Sequence, residues 1–233
     1  MSLEDVIEEL YELEDQEKAK FRKAKFGIEA DNFLGVYHKD LNRIAKEIGK
    51  NNQLALQLFD TGIYEARLLC SKIFNPKNVT EELMEKWVKT FENWEICDSF
   101  CMAIFAKSEF ALAKILDWSN RKEEFQKRAA FATMAAFCIA DKKSENELFV
   151  QFFPIIKEAS IDDRKFVKKA VNWALRGIGK RNKDLKKEAI KVSYELIEMK
   201  SDSANWIGRN ALTELEKPDV RSSDYPRKIY RPK

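Results

Sequence analysis

Trp94 and Asp98 stand four residues apart in Trp94-Glu95-Ile96-Cys97-Asp98. On a helix they share one face. A carboxylate held beside an apolar plate can stabilise a developing cation or orient a water molecule. Downstream, Trp173 has Lys169 four residues before it and Arg176 three after, and Lys180 and Arg181 follow. An aromatic ring among cations suits a phosphate backbone, with the ring pressed on a sugar or base. Arg128 opens the apolar run Ala129–Ala140 and could clamp a phosphate. Each feature also has a structural reading. Trp94 could anchor a core or groove, with Asp98 as an ion-pair partner. Arg128 could pair with Glu124, and Trp173 could be a core ring flanked by snorkelling cations.

These residues must be positioned by helices. The chain has 233 residues, 45% of them hydrophobic and 35% charged, with only 7 glycines and 5 prolines. Pro218, Pro226 and Pro232 fall near the C-terminus, so the body is almost free of breakers. Apolar residues recur at helical spacing nearly everywhere, and no strand pattern stands out. The expected helices are Leu3–Ala24, Leu41–Ile48, Asn52–Phe59, Ile63–Ile73, one opened by a Thr80 cap, Trp94–Phe105, Glu109–Trp118, Lys122–Ala140, Asn146–Glu158, Asp162–Ile178, Asp184–Glu198 and Ser203–Leu215. Roughly a dozen helices bury their faces more easily by stacking in pairs than in one bundle. Pairs recurring at roughly 35 to 45 residues point to an all-α, HEAT-like helical-repeat solenoid with a concave face. The expected organisation is one domain over residues 1–216 and a basic, Pro-containing tail over 217–233.

Net charge is a modest +3, yet between Arg164 and Lys191 eleven Lys and Arg face only Asp184 and Glu188. The tail adds Lys217, Arg221, Arg227, Lys228, Arg231 and Lys233. Binding through such a patch would weaken steeply with salt. Cys70, Cys97, Cys101 and Cys138 form no CxxC pair, and His38 is the single histidine. That leaves no zinc set and no serine–histidine or cysteine–histidine constellation. Gly177-x-Gly179-Lys180 lacks the spacing of a phosphate-binding loop and is expected to end its helix. The acidic N-terminus does not read as a signal peptide, and the longest uncharged run, Ala129–Ala140, is short of the about 20 residues a bilayer span needs. A cytoplasmic protein without membrane contact, cofactor or metal is expected.

In this order the features resemble the AlkD-like DNA alkylation repair family, the HEAT-like-repeat DNA glycosylases. The likeness runs from about Lys25 to Leu215. It is carried by Phe33-Leu34-Gly35-Val36, Arg43-Ile44-Ala45-Lys46, Gly62-x-x-Glu65-Ala66-Arg67, Trp94-x-x-x-Asp98, Arg128-Ala129-Ala130 and Lys169-Ala170-Val171-x-Trp173-x-Leu175-Arg176. The resemblance implies a monomer with a basic groove for duplex DNA that contains alkylated bases. It implies base excision repair, in which cationic N3- and N7-alkylated purines are cut from the sugar without a base-binding pocket. Asp98 would stabilise the oxocarbenium-like sugar, Trp94 and Trp173 would pack on the lesion deoxyribose, and Arg128 would hold phosphate. Lys169, Arg176, Lys180 and Arg181 would line the groove. Phe26 stands where the family places a tyrosine, and Glu95 where an aspartate is common. Relatives without glycosylase activity exist, so the alternative is a non-catalytic protein that recognises distorted or branched DNA. A protein-interaction scaffold is the third reading.

Overall fold

The computed structural model describes residues 1–220 and 222–226. Among them every regular element is helical. They divide into two compact units, Met1–Glu109 and one that begins at Phe110.

The first unit contains α1 (Leu3–Glu12), α2 (Gln16–Phe26), α3 (His38–Ile48), α4 (Asn52–Asp60), α5 (Tyr64–Ile73), α6 (Glu81–Val88) and α7 (Trp94–Ala103). The single first helix expected from periodicity is two. Asp15 caps α2 by accepting from the Lys18 amide at 3.0 Å, and its own amide donates to the Leu34 carbonyl at 2.8 Å. A loop from far along the chain thus takes the donor that a continuous helix would need. The Glu65 carboxylate, fully buried on α5, accepts from the amides of Leu34 (3.0 Å), Gly35 (2.8 Å) and Val36 (3.1 Å). Two motifs separated in sequence are therefore one device, a carboxylate holding a loop. Gly35 has φ +86°, and a Cβ there would lie 2.2 Å from the Asp15 carbonyl oxygen, so only glycine fits. The core closes around Trp87, whose ring meets Phe100 at 5.1 Å, Phe74 at 5.2 Å and Phe59 at 5.8 Å.

The second unit contains α8 (Ala111–Ser119), α9 (Glu124–Ala140), α10 (Asn146–Val150), α11 (Phe152–Ala159), α12 (Lys165–Gly179), α13 (Lys183–Glu198) and α14 (Asp202–Leu215). The helix expected over Asn146–Glu158 is interrupted at Gln151. The apolar helix α9 is buried between α8 and α12, and α12 packs also on α13 and α14. Gly177 and Gly179 do not end α12; they lie inside it. A Cβ on Gly177 would touch the Ala135 backbone of α9 at 3.5 Å, and one on Gly179 would meet Leu215 at 2.8 Å and Ala189 at 3.0 Å. They are packing glycines that let neighbours approach α12. Arg164 holds the cap position of α12, and Asp162 accepts from its amide. Beyond α14 the chain folds back, with Tyr225 donating its amide to the Arg181 carbonyl at 2.9 Å. Arg221, Arg227, Lys228, Arg231 and Lys233 of the basic tail lie outside the described residues. No helix is long and apolar enough to cross a membrane among the described residues.

Candidate DNA-contacting residues

Asn93 starts α7 by accepting from the amides of Glu95 (3.0 Å) and Ile96 (3.2 Å), which places Trp94 in the first turn. The indole N–H of Trp94 donates to the Phe26 carbonyl at 3.0 Å, at the last residue of α2. Trp94 and Asp98 are both half-buried, one turn apart on α7. Phe26 is exposed, and its ring meets Phe21 edge-to-face at 6.1 Å. The first unit thus sets Trp94 of α7 against the end of α2 at Phe26, with Asp98 one turn further along α7.

Glu95 lies between Trp94 and Asp98 on α7. Arg22 Nη2 reaches both of its oxygens, at 2.6 and 2.5 Å. His38 Nε2 lies 2.9 Å from Oε1, and the Tyr64 hydroxyl donates to Oε2 at 2.8 Å. Burial works to raise the Glu95 carboxyl, but His38, Arg22 and Tyr64 outweigh it and hold it below the ordinary carboxylate range. With its lone pairs occupied by these donors, Glu95 ties α2, α3, α5 and α7 together and is unsuited to meet a substrate. The sequence reading passed over this cluster because its members lie far apart; the Arg22–Glu95 contact spans 73 positions. The only available signal was an acid in the first turn of α7 beside the tryptophan.

In the second unit, Trp173 is half-buried on α12, and Lys169 is exposed one turn before it. Arg176 pairs with Glu214, and Lys180 reaches the same carboxylate at 2.7 Å. Burial pushes the Glu214 carboxyl up, and Lys180 and Arg176 together pull it further down. The cationic surplus read from the sequence is therefore partly offset by an acid from α14. Lys165, Lys183 and Lys191 remain exposed.

Two expected phosphate contacts are corrected. Arg181 is 1% exposed; its guanidinium donates to the carbonyls of Cys138 and Asp141, each at 2.6 Å, and lies 3.6 Å from the centre of the Phe149 ring. It is a structural arginine that satisfies the end of α9. Arg128 is also buried and donates to the Phe166 carbonyl at 2.6 Å rather than standing open to solvent. The four cysteines are buried and unbridged, and burial drives the Cys138 thiol up to about 12.

Over residues 6–215 the sequence matches the family described as DNA alkylation repair enzyme. The chain belongs to the DNA alkylation repair enzyme family. No curated protein matches this family member significantly. Among solved structures it is similar, with a TM-score of 0.75 and 18% identity, to one described as a new family of proteins related to the HEAT-like repeat DNA glycosylases with affinity for branched DNA structures. That alignment covers 97% of this chain and 100% of the other. It is also similar to AlkD2 from Streptococcus mutans, with a TM-score of 0.55 and 21% identity over 84% of this chain and 96% of that one. At such identities the likeness concerns the fold, which is that of a HEAT-like helical-repeat protein.

Proposed function

We propose that this member of the family is a DNA glycosylase of base excision repair, acting on cationic N3- and N7-alkylated purines in duplex DNA. The observation that carries the reading is the pairing of an anchored Trp94 with Asp98 one turn further along α7. Alkylation at N3 or N7 leaves the purine positively charged, so the glycosidic bond breaks with its electron pair passing to the base and neutralising it. Positive charge then develops on the sugar. A carboxylate beside an apolar ring is suited to that charge, because low local dielectric strengthens the attraction. Water, oriented by Asp98, adds at C1′ and loses its proton to solvent. The Trp94 indole packs on the deoxyribose. Trp173 offers a flat surface to the DNA backbone beside the phosphate-holding Lys169. Arg176 and Lys180 join such contacts by exchanging Glu214 for phosphate.

The second reading, binding of distorted or branched DNA without base release, is favoured by Phe26, which keeps a ring and lacks the hydroxyl of the family's tyrosine. The neighbour with affinity for branched DNA structures supports it as well. The two are separated by incubating the protein with methylated duplex DNA and quantifying 7-methylguanine and 3-methyladenine released. Release above the uncatalysed background is expected. Salt-sensitive binding of duplex without any release would establish the second reading instead.

A further inference from the structure

Trp206 of α14 is 39% exposed, and the Lys168 ammonium of α12 stands 5.2 Å from the centre of its ring. The pair is one end of a seam in the second unit. Along it Lys168 meets Trp206, Asn172 donates to the Ile207 carbonyl at 3.1 Å, and Arg176 and Lys180 reach Glu214. The contacts ascend together, so α12 and α14 run parallel. On α14, Ala204, Ile207, Gly208, Ala211 and Leu215 are buried. Trp206, Asn210 and Thr213 recur at helical spacing on an exposed stripe, and Lys217 follows them. The far end of the seam opens into a cleft of about 490 Å³, where Arg176, Lys180 and Lys217 meet Asn210 and Thr213.

Acids lie on the seam too. Asp202 stands one turn before Trp206, Glu214 is held by Arg176 and Lys180, and Asp219 lines the cleft. Cations outnumber them: Lys165 and Lys168 one turn apart on α12, then Arg176 and Lys180, with Arg209 and Lys217 from the α14 side. Held by a ring, the Lys168 ammonium keeps its donors for an anion. A fitting partner therefore presents an apolar face beside repeated negative charge. The backbone of a DNA strand has that form, because each deoxyribose lies between phosphates. Trp206 can pack on the sugar while Lys168 meets the neighbouring phosphate, and the Asn210 amide adds an uncharged donor along the strand.

We infer that the α12–α14 seam holds a DNA backbone, with Trp206 as a sugar-packing plate in addition to Trp173 and Lys168 as its phosphate contact. The inference rests on the DNA-binding reading above and is independent of base release. It makes α14 a contact element as well as the source of the acid that offsets Arg176 and Lys180.

The test uses the full chain and a fluorescein-labelled, unmodified duplex, with anisotropy titrations over a series of salt concentrations. Lys168→Ala should lower the slope of log affinity against log salt by about 1. Trp206→Ala should weaken binding about tenfold with the slope unchanged, and Trp206→Phe should recover most of the loss. Tyr194→Ala, which removes an exposed ring from α13, should bind as wild type. Thermal midpoints show whether each variant keeps the fold. An unchanged affinity for a folded Trp206→Ala, or an unchanged slope for Lys168→Ala, would overturn the seam while leaving DNA binding intact. If Trp206→Ala melts early, the Lys168→Ala slope decides alone. Absence of wild-type binding at every salt concentration would overturn both the seam and the DNA-binding reading.

Discussion

The indole N–H of Trp94 donates to the main-chain carbonyl of Phe26 at 3.0 Å. The two residues lie 68 positions apart, one opening α7 and the other closing α2. The bond holds the ring that would pack on a sugar at a set angle, with Asp98 following it on the same helix. Beneath them the buried Arg22–Glu95 pair keeps α2 and α7 in register, so the candidate site stands on a rigid base.

That base is testable by stability. Glu95→Ala strands the Arg22 guanidinium in a buried setting and should cost about 3–5 kcal/mol. Urea unfolding followed by circular dichroism gives the value. A loss below about 1 kcal/mol would mean that the carboxylate does not hold these helices.

Gly35→Ala places a Cβ 2.2 Å from the Asp15 carbonyl oxygen, at a backbone conformation of φ +86°. The loop that Glu65 clamps must move, at a cost of at least about 1–3 kcal/mol. The thermal midpoint should fall by several degrees; an unchanged midpoint would show that the loop is not tightly held.

The helical repeats and most helix ends were legible because apolar spacing and caps such as Thr80 are local signals. Two kinds of feature were not. The break between α1 and α2 depends on Leu34, which takes the Asp15 donor from outside the helix. The role of Glu95 depends on Arg22, His38 and Tyr64, which only the fold brings together. Arg181 was misread for the same reason: its position in a basic run suggested a phosphate ligand, while the end of α9 and the Phe149 ring claim its side chain. Gly177 and Gly179 looked like a helix stop because nothing local reveals that Ala135 and Leu215 press against them.

Low pH should expose a second ion cluster. Burial raises the Asp162 carboxyl, but hydrogen bonds and charge from Arg164 and Lys127 bring it down from 3.8 to about 2. A group depressed in the folded state adds stability above its unfolded value and loses it as pH falls through the folded one. Asp162 should therefore contribute at most about 2 kcal/mol above pH 4, lost between about pH 4 and 2. Asp162→Asn should flatten that part of the stability curve. Parallel curves for the two proteins would contradict the assignment.

The two classes of cation in the α12 region should separate cleanly. Lys169→Ala should leave the thermal midpoint unchanged and lower the slope of log affinity against log salt by about 1. Arg181→Ala should destabilise the fold by about 1–3 kcal/mol, because the Cys138 and Asp141 carbonyls lose their donor. The reverse pattern would return Arg181 to the DNA surface.

The most direct test of the central claim compares wild type with Asp98→Asn on methylated duplex DNA, measuring affinity and single-turnover release of 7-methylguanine side by side. The variant keeps shape and removes charge, so affinity should hold within about twofold while release falls by about 10²–10³-fold. Equal release by both proteins would contradict the assignment of Asp98 as the group that stabilises the sugar cation.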